Sequence, residues 1–402
     1  MPIDLKQYNR FLEQVASDLD ISPSKYQQAV DRYKSVGKWL DEGDYPGITG
    51  NLKIYVQGSF RLGTVVRPLV EGKDSDYDID LVCELPSAKA DTDPKTIKAL
   101  IGDRLKENGT YERLLDKEGR RCWTLNYAEQ DNIGFHLDVL PAIPDVNFQS
   151  DTNIAITHKE EREYFWSASN PYGYAQWFDE HNRQAFLLAE SNQKREIFSR
   201  SRTVYASVDD VPSQLVRTPL QRAIQLMKRH RDQRFTGHTL EDKRPISMII
   251  TTLATYLYQN EADTASALKG IVEKLHAHSS LLYNRMLSDQ ALARRNIIQK
   301  RSDGTWYIGN PVNPNENFAD RWHEDNDARA KSFFMWVEWL KEDLVDILSA
   351  HNTQSSRKSL CDSFGNRLVD KHFQLLAVQA APTIITPRQV AIESPPKPWK
   401  KQ

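Results

Sequence analysis

The chain has 402 residues, which is too long for one compact core and indicates two lobes. Hydrophobic residues make up 39% of the chain and charged residues 27%, which is typical of soluble globular proteins. Because 53 Lys and Arg residues nearly balance 55 Asp and Glu residues, the net charge of −2 supplies no overall field that would attract long DNA or RNA, although a local basic groove remains compatible with it.

The cysteine pattern and the absence of long apolar stretches indicate the compartment. Three scattered cysteines form neither a disulfide framework nor a metal-ligand spacing, which fits a reducing environment. The first twenty residues are polar and acidic and lack the core of a signal peptide, and no stretch is apolar for long enough to span a membrane. We therefore expect a cytoplasmic protein without a membrane partner.

Residues 1–212 alternate between helical and extended patterns and predict a mixed α/β lobe on a largely antiparallel sheet. Ser22-Pro23 and Asp93-Pro94 are typical helix starts, and the helix after Asp93 should end near Gly109. Pro141 and Pro144 should close the last strand, and Asp131-Asn132 should form the turn before it. The predicted helices are 5–18, 23–42 and 94–109, and the predicted strands are 51–56, 77–84, 122–127 and 133–140.

Beyond Val216 the amphipathic helical pattern dominates, and residues 213–380 predict a helical lobe. Residues 309–322, between these helices, are polar and rich in turn formers. Scattered prolines over 381–402 indicate an extended, flexible tail. The predicted helices cover 219–235, 245–258, 264–278, 328–349 and 355–373.

A Gly-Ser turn follows the first predicted strand, in the sequence Gln57-Gly58-Ser59. Glycine allows the backbone to approach a phosphate closely, and Ser59 offers a hydroxyl and an amide to phosphate oxygens. Arg61 or Arg67 could extend such a cradle. A Gly-Ser pair alone is more often a plain turn, so its meaning depends on what surrounds it.

Carboxylates spaced two apart follow this turn at Asp76, Asp78 and Asp80, and such residues share one face of a strand. Their crowded charges are costly unless cations lie among them. Because Ile79 and Leu81 alternate with Asp78 and Asp80, these two are the predicted metal ligands, and Asp76 could substitute or assist. The alternative is an acidic strand edge that discourages pairing with other chains.

A third carboxylate is needed to hold a pair of metal ions, and Asp138 on the following strand is the best candidate. Leu137 and Val139 flank it and would anchor the opposite face. The alternative is an acid that pairs with a nearby Arg or Lys. His136, two residues earlier on the same face, is interpreted as a packing residue or as a support for the ligands rather than as a ligand itself.

The helix from Pro219 is basic, and Lys228 on it is the predicted partner of a triphosphate because Ile224 and Met227 imply partial burial. Ser247, at the start of the next helix, could add an amide and a hydroxyl to the same phosphates. A surface helix can also be basic for solubility alone. A phosphate holder beside a metal holder predicts phosphoryl or nucleotidyl transfer from a nucleoside triphosphate.

The Gln57-Gly58-Ser59 turn, the Asp78-Ile79-Asp80 pair and the later Asp138 resemble the signature of polymerase-β-like nucleotidyltransferases. Three further stretches resemble the bacterial CD-NTases, which are related to cyclic GMP-AMP synthase and oligoadenylate synthase. They are residues 169–178, 220–232 and 310–322.

This resemblance implies an α+β fold in which a nucleotidyltransferase lobe faces a helical lobe. It implies two Mg²⁺ ions, or Mn²⁺ in their place, held by Asp78, Asp80 and Asp138. It further implies a triphosphate bound by Ser59, Lys228 and Ser247. The expected substrates are nucleoside triphosphates, ATP and also GTP, UTP or CTP, without a stable long nucleic acid.

The expected products are cyclic or short linear oligonucleotides that act as second messengers in anti-phage defence. Several alternatives stay open in the sequence. A terminal nucleotidyltransferase acting on RNA or on a protein would carry the same motif, as would an inactive nucleotide sensor. In some relatives the two metal-binding acids lie two residues earlier in the strand, and these positions would correspond to Asp76 and Asp78. The C-terminal tail could bind a regulatory or conjugating partner.

Overall fold

The computed structural model describes residues 3–67, 69–70, 73–74, 76–130, 133–145, 150–283, 295–350 and 353–376. Its α-helices are α1 (Leu5–Asp18), α2 (Pro23–Asp41), α3 (Gly58–Leu62), α4 (Pro94–Lys106), α5 (Gly109–Leu114), α6 (Pro171–Arg200), α7 (Pro219–Phe235), α8 (Ser247–Leu257), α9 (Thr264–Ala277), α10 (Ala328–Leu344), α11 (Thr353–Phe364) and α12 (Asn366–His372). Short 3-10 helices cover Ser213–Leu215, Glu241–Lys243, His278–Tyr283, Asp346–Ser349 and Phe373–Leu376.

The β-strands are β1 (Lys53–Gln57), β2 (Leu69–Val70), β3 (Lys73–Asp74), β4 (Tyr77–Glu84), β5 (Trp123–Gln130), β6 (Ile133–Pro144), β7 (Ile154–Glu160), β8 (Glu163–Ser169), β9 (Gln299–Lys300), β10 (Trp306–Tyr307), β11 (Gly309–Asn310) and β12 (Asn313–Asn317). The main sheet has the order β1-β4-β6-β7-β8, and β5 also pairs with β6. Every pair in this sheet is antiparallel except β4 with β6, which is parallel. The predicted α+β class with a mixed, largely antiparallel sheet is therefore confirmed.

Two large hydrophobic cores organise the chain. One core lies between the main sheet and helices α2 and α4, and it includes Ile79, Leu81 and Leu137. The other joins α7, α8, α9 and α10, and it also takes Phe11 and Leu12 from α1. Helix α1 thus packs with the C-terminal helices although it precedes the sheet in sequence. The division at residue 212 and the tail over 381–402 stay predictions, and the tail lies outside the described residues.

Contacts from one face of α7 fix the helical core against the turn after α3. The helix begins at a capping box, in which Thr218 and Gln221 satisfy each other's backbone N–H groups. The Gln221 side chain donates to the carbonyl of Leu62 at 2.8 Å, and Gln225 donates to that of Val65 at 3.0 Å. These buried bonds hold α7 beside α3 and the residues that follow it, next to a cavity of about 450 Å³.

Most predicted elements agree with the structure, and α1, α7 and β4 have the predicted bounds. Some expectations were wrong, among them the following two. Strand β6 does not stop at Pro141 but continues to Pro144, because Pro141 still lies opposite Cys83 in the β4 pairing. The helix expected over 355–373 is broken at Gly365, whose φ of +85° is left-handed and ends α11.

Other elements were not predicted or lie beyond what can be described. The β7–β8 hairpin and the thirty-residue helix α6 were not foreseen, and residues 309–322 contain the β11–β12 hairpin rather than turns alone. The expected turn at Asp131-Asn132 lies outside the described residues. Within the ranges given above, no helix combines the length and the apolar character needed to cross a bilayer.

Candidate active site

The parallel pairing of β4 with β6 places two predicted metal ligands directly opposite each other. Asp80 on β4 pairs with Asp138 on β6, and Asp78 pairs with His136. The alternate residues of β4, among them Ile79, are buried in the core below the sheet. All three carboxylates therefore emerge on the opposite face, where they line one cavity of about 450 Å³.

Gly58 and Ser59, predicted as a turn, are instead the first residues of α3, and Gly58 brings the start of this helix against the acid pair. Gln57 is the partner of Asp80 in the antiparallel β1–β4 register, and Gly58 follows it with a φ of +64°. A Cβ atom at position 58 would overlap the Asp80 carboxylate, so only glycine fits between the helix start and the acid. Ser59 lines the 450 Å³ cavity, as predicted, whereas Gln57 lines a smaller cavity on the other side of the acids.

The acids disfavour each other's ionised forms. Burial, followed by the negative charges of Asp138 and Asp78, raises the pKa of Asp80 to about 7. Burial also raises the pKa of Asp138, although a hydrogen bond donated by the Thr124 hydroxyl opposes the rise. Burial and the charge of Asp138 raise the pKa of the nearby Cys122 to about 12, so this side chain remains a neutral thiol. Negative charges are therefore crowded around Asp80 at this site.

This donor set fits divalent cations. Carboxylate oxygens that converge from adjacent strands are the ligands that Mg²⁺ and Mn²⁺ prefer, and a cation would remove the repulsion that raises the pKa of Asp80. Within the described part of the chain, no three His, Cys, Asp or Glu side chains are already arranged closely enough to hold an ion. The residues therefore fit the ions in their chemistry, and their role as ligands is a proposal.

Asp76 has a different environment from Asp78 and Asp80. Its carboxylate accepts the Gly134 N–H at 2.9 Å and lies 3.5 Å from Nε2 of His136. It does not line the 450 Å³ cavity, which favours Asp78 and Asp80 over the register that begins at Asp76. His136 contacts Asp78 through Nδ1 at 3.4 Å, which agrees with its expected place beside the ligands rather than among them.

Lys228 lines the 450 Å³ cavity together with the acids. Only 2% of this residue is exposed, and its Nζ donates to the carbonyl and the hydroxyl of Thr64, each at 3.1 Å. Burial and the neighbouring charge of Arg231 lower the pKa of Lys228 to about 7. The solubility interpretation of this basic helix is wrong, because residues 228–231 are all buried.

Arg231 is a cavity residue that the sequence analysis did not single out. Its guanidinium donates to the carbonyl of Pro245 and to the hydroxyl of Ser247, each at 3.0 Å, and pairs with Asp232. Ser247 thus lines the cavity as predicted, but its hydroxyl already accepts a hydrogen bond from the Arg231 guanidinium. Arg231 follows Lys228 by three residues, which places both side chains on one face of the helix, and this spacing could have indicated that Arg231 lines the same cavity.

A smaller cavity of about 260 Å³ adjoins the first across Asp80 and Asp138. Its walls include the aromatic rings of Tyr174 and Phe318. Glu316 on β12 also lines it, where its carboxylate accepts hydrogen bonds from Ser169 at 3.1 Å and from Asn310 at 2.7 Å. These residues lie in the stretches 169–178 and 310–322, which carried the resemblance but no assigned role.

Acids on adjacent strands of a mixed sheet, a Gly-Ser pair at the start of α3 against them and a buried lysine from a helical lobe define a polymerase-β-like nucleotidyltransferase. Comparisons with known proteins agree with this class and refine it. Residues 6–182 match the model of the Second Messenger Oligonucleotide or Dinucleotide Synthetase domain. The c-di-GMP synthase of Roseivirga ehrenbergii is 30% identical over 359 residues, which cover 88% of this chain and 83% of that protein.

A second relative and a solved structure extend the comparison. The cyclic dinucleotide synthase CdnG of Bradyrhizobium diazoefficiens is 24% identical over 78% of this chain and 70% of its own length. The structure of the same CD-NTase in complex with GTP has the same fold, with a TM-score of 0.67 and 21% identity over 91% of this chain and 98% of that one. The chain belongs to the bacterial CD-NTase family and is a nucleotidyltransferase that synthesises cyclic oligonucleotides. The resemblance read from the motifs is confirmed.

Proposed function

We propose that this enzyme joins nucleoside triphosphates, GTP among them, into a cyclic dinucleotide second messenger for anti-phage signalling and releases pyrophosphate. The observation that carries the proposal is the opposition of Asp80 and Asp138 at the boundary between two cavities. GTP is chosen because one relative is a c-di-GMP synthase and a structure with the same fold was solved with GTP. ATP, CTP and UTP remain candidates for the second position.

The 450 Å³ cavity suits the phosphates of a bound nucleotide. Lys228 and Arg231 contribute positive charge to its lining, and Ser59 lines it together with the acids. Two Mg²⁺ ions held by Asp78, Asp80 and Asp138 would lower the pKa of a ribose hydroxyl and neutralise charge on the phosphates. The hydroxyl oxygen then forms a bond to the α-phosphorus as the bond to the β-phosphate oxygen breaks, and Asp138 accepts the hydroxyl proton.

The 260 Å³ cavity suits a nucleobase. Tyr174 and Phe318 offer aromatic surfaces, and Leu140 and Ile156 add apolar contacts beside them. The Glu316 carboxylate and the Arg121 guanidinium lie on the same walls and supply an acceptor and donors for the edge of a base. A nucleotide that spans both cavities would place its ribose and α-phosphate at the acid pair, where the reaction requires them.

The test is product analysis of the purified protein with each ribonucleoside triphosphate and with pairs of them. We expect metal-dependent release of pyrophosphate and a phosphatase-resistant product with the mass of a cyclic dinucleotide. Asp138→Asn should abolish the product, whereas Asp103→Asn should not, because Asp103 is exposed and pairs with Lys106 on the surface of α4. Product that appears only after RNA or a protein acceptor is added would overturn the proposal in favour of a terminal nucleotidyltransferase.

A further inference from the structure

The three acids of the site are not held equally well. Asp138 accepts a hydrogen bond from Thr124, and Asp80 is packed beneath Gly58. Asp78 is different, since 57% of its side chain is exposed. Within the part of the chain that the structure describes, the contact that orients its carboxylate is with His136, whose Nδ1 lies 3.4 Å from Oδ1 of Asp78.

His136 is itself held from the other side. Its Nε2 lies 3.5 Å from Oδ2 of Asp76, and Oδ1 of Asp76 accepts the Gly134 N–H at 2.9 Å. A Cβ atom at position 134 would lie 2.5 Å from the Asp76 carboxylate, so glycine is needed there for this bond. A continuous set of contacts therefore runs from the backbone of β6 through Asp76 and His136 to Asp78.

We propose that His136 is a positioning residue that orients Asp78 toward a divalent cation in the 450 Å³ cavity, with Asp76 fixing the imidazole ring. The inference rests on the proposed function of this site. An exposed carboxylate that is ordered before the ion arrives loses less conformational entropy on binding. Hydrogen-bonded partners behind metal ligands commonly change metal affinity or activity by about 10- to 100-fold.

The experiment measures Mn²⁺ binding to the full chain without nucleotide, from the electron paramagnetic resonance signal of the free ion. We expect His136→Ala to raise the dissociation constant of Mn²⁺ by about 10-fold or more. His136→Gln, whose amide can still donate to Asp78, should recover part of the affinity, and Asp76→Ala should weaken binding less than His136→Ala. The Mn²⁺ concentration for half-maximal synthesis should shift in the same order, while the KM for GTP at saturating Mn²⁺ stays unchanged.

His158→Ala is the matched control, because His158 lies on β7 of the same sheet, contacts Ser167 and lines neither cavity. An unchanged Mn²⁺ affinity in His136→Ala, an equal loss in His158→Ala, or His136→Gln no better than His136→Ala would each overturn the inference. Thermal melting of every variant separates these results from loss of folding. If the wild type makes product and Asp80→Asn does not, the proposed function stands whatever His136 does; if the wild type neither binds Mn²⁺ nor makes product, both proposals fail.

Discussion

Asp80 and Asp138 are cross-strand neighbours in the one parallel pair of the main sheet, and each disfavours the ionised form of the other. A stabilising core would not place two acids in this way, since their mutual repulsion lowers stability. A divalent cation bound between the acids, as we propose, would offset this repulsion. The acid pair is therefore better explained by the proposed metal site than by packing.

Asp80→Asn should lower the rate of synthesis by at least about 1000-fold, because it removes a carboxylate that we propose as a metal ligand at the reacting phosphate. The amide has nearly the same shape, so the fold should persist. The measurement is pyrophosphate release at saturating GTP and metal. Asp103→Asn, at an exposed ion pair on α4, should retain the wild-type rate. Equal rates in the two variants would contradict the assignment.

Asp80→Asn should also raise the free energy of unfolding, by an amount that depends on pH. The pKa of Asp80 is raised from 3.8 to about 7, so the folded state binds more protons than the unfolded state between these values. Wild-type stability therefore falls as the pH rises from about 4 to about 7, by at most about 4 kcal/mol. Asp80→Asn should match the wild type near pH 4 and be more stable near pH 8.

Chemical unfolding at both pH values checks this expectation, and added Mn²⁺ provides a second test. Mn²⁺ should raise the unfolding midpoint of the wild type at pH 8, because it binds only the folded state, but not that of Asp80→Asn. A variant that is less stable than the wild type at pH 8 would contradict the proposed repulsion.

Gly58→Ala should abolish synthesis because its methyl group would displace the Asp80 carboxylate. Gly47→Ala is the matched control. Gly47 has a similar left-handed φ of +81°, but a Cβ atom there would meet nothing within 4 Å. Both variants should lose about 1–2 kcal/mol of stability from backbone strain, whereas only Gly58→Ala should lose activity. Full activity in a folded Gly58→Ala would show that the close approach is unimportant.

Much of this site could be predicted because its signals are local. Alternation of Asp with Ile and Leu predicted β4 and the side of the sheet on which Asp78 and Asp80 emerge, and Thr218-Pro219 fixed the start of α7. A helix cap and a two-residue period depend on neighbours in the sequence. The predicted bounds of these elements accordingly agree with the structure.

What could not be predicted depends on contacts between distant segments. The burial of Lys228 results from its docking on Thr64, 164 positions earlier, and charge on a helix gives no sign of such a partner. The β11–β12 hairpin positions Glu316 beside Ser169, and the polar, turn-rich sequence of this segment did not indicate a hairpin. The position of the Asp76 carboxylate likewise depends on Gly134, which lies on β6.

Lys228→Met should weaken the binding of GTP by about 10-fold or more while leaving guanosine binding unchanged, because Lys228 lines the cavity that we propose for the phosphates and not the one that we propose for the base. Methionine retains the apolar stem of the lysine side chain and should fill the space beside Thr64. Calorimetric titration with GTP and with guanosine separates the two contributions. Lys269→Met, on the exposed face of α9, is the control and should bind both ligands as the wild type does. A similar loss of affinity for guanosine would mean that Lys228 maintains the shape of the cavity instead of binding the triphosphate.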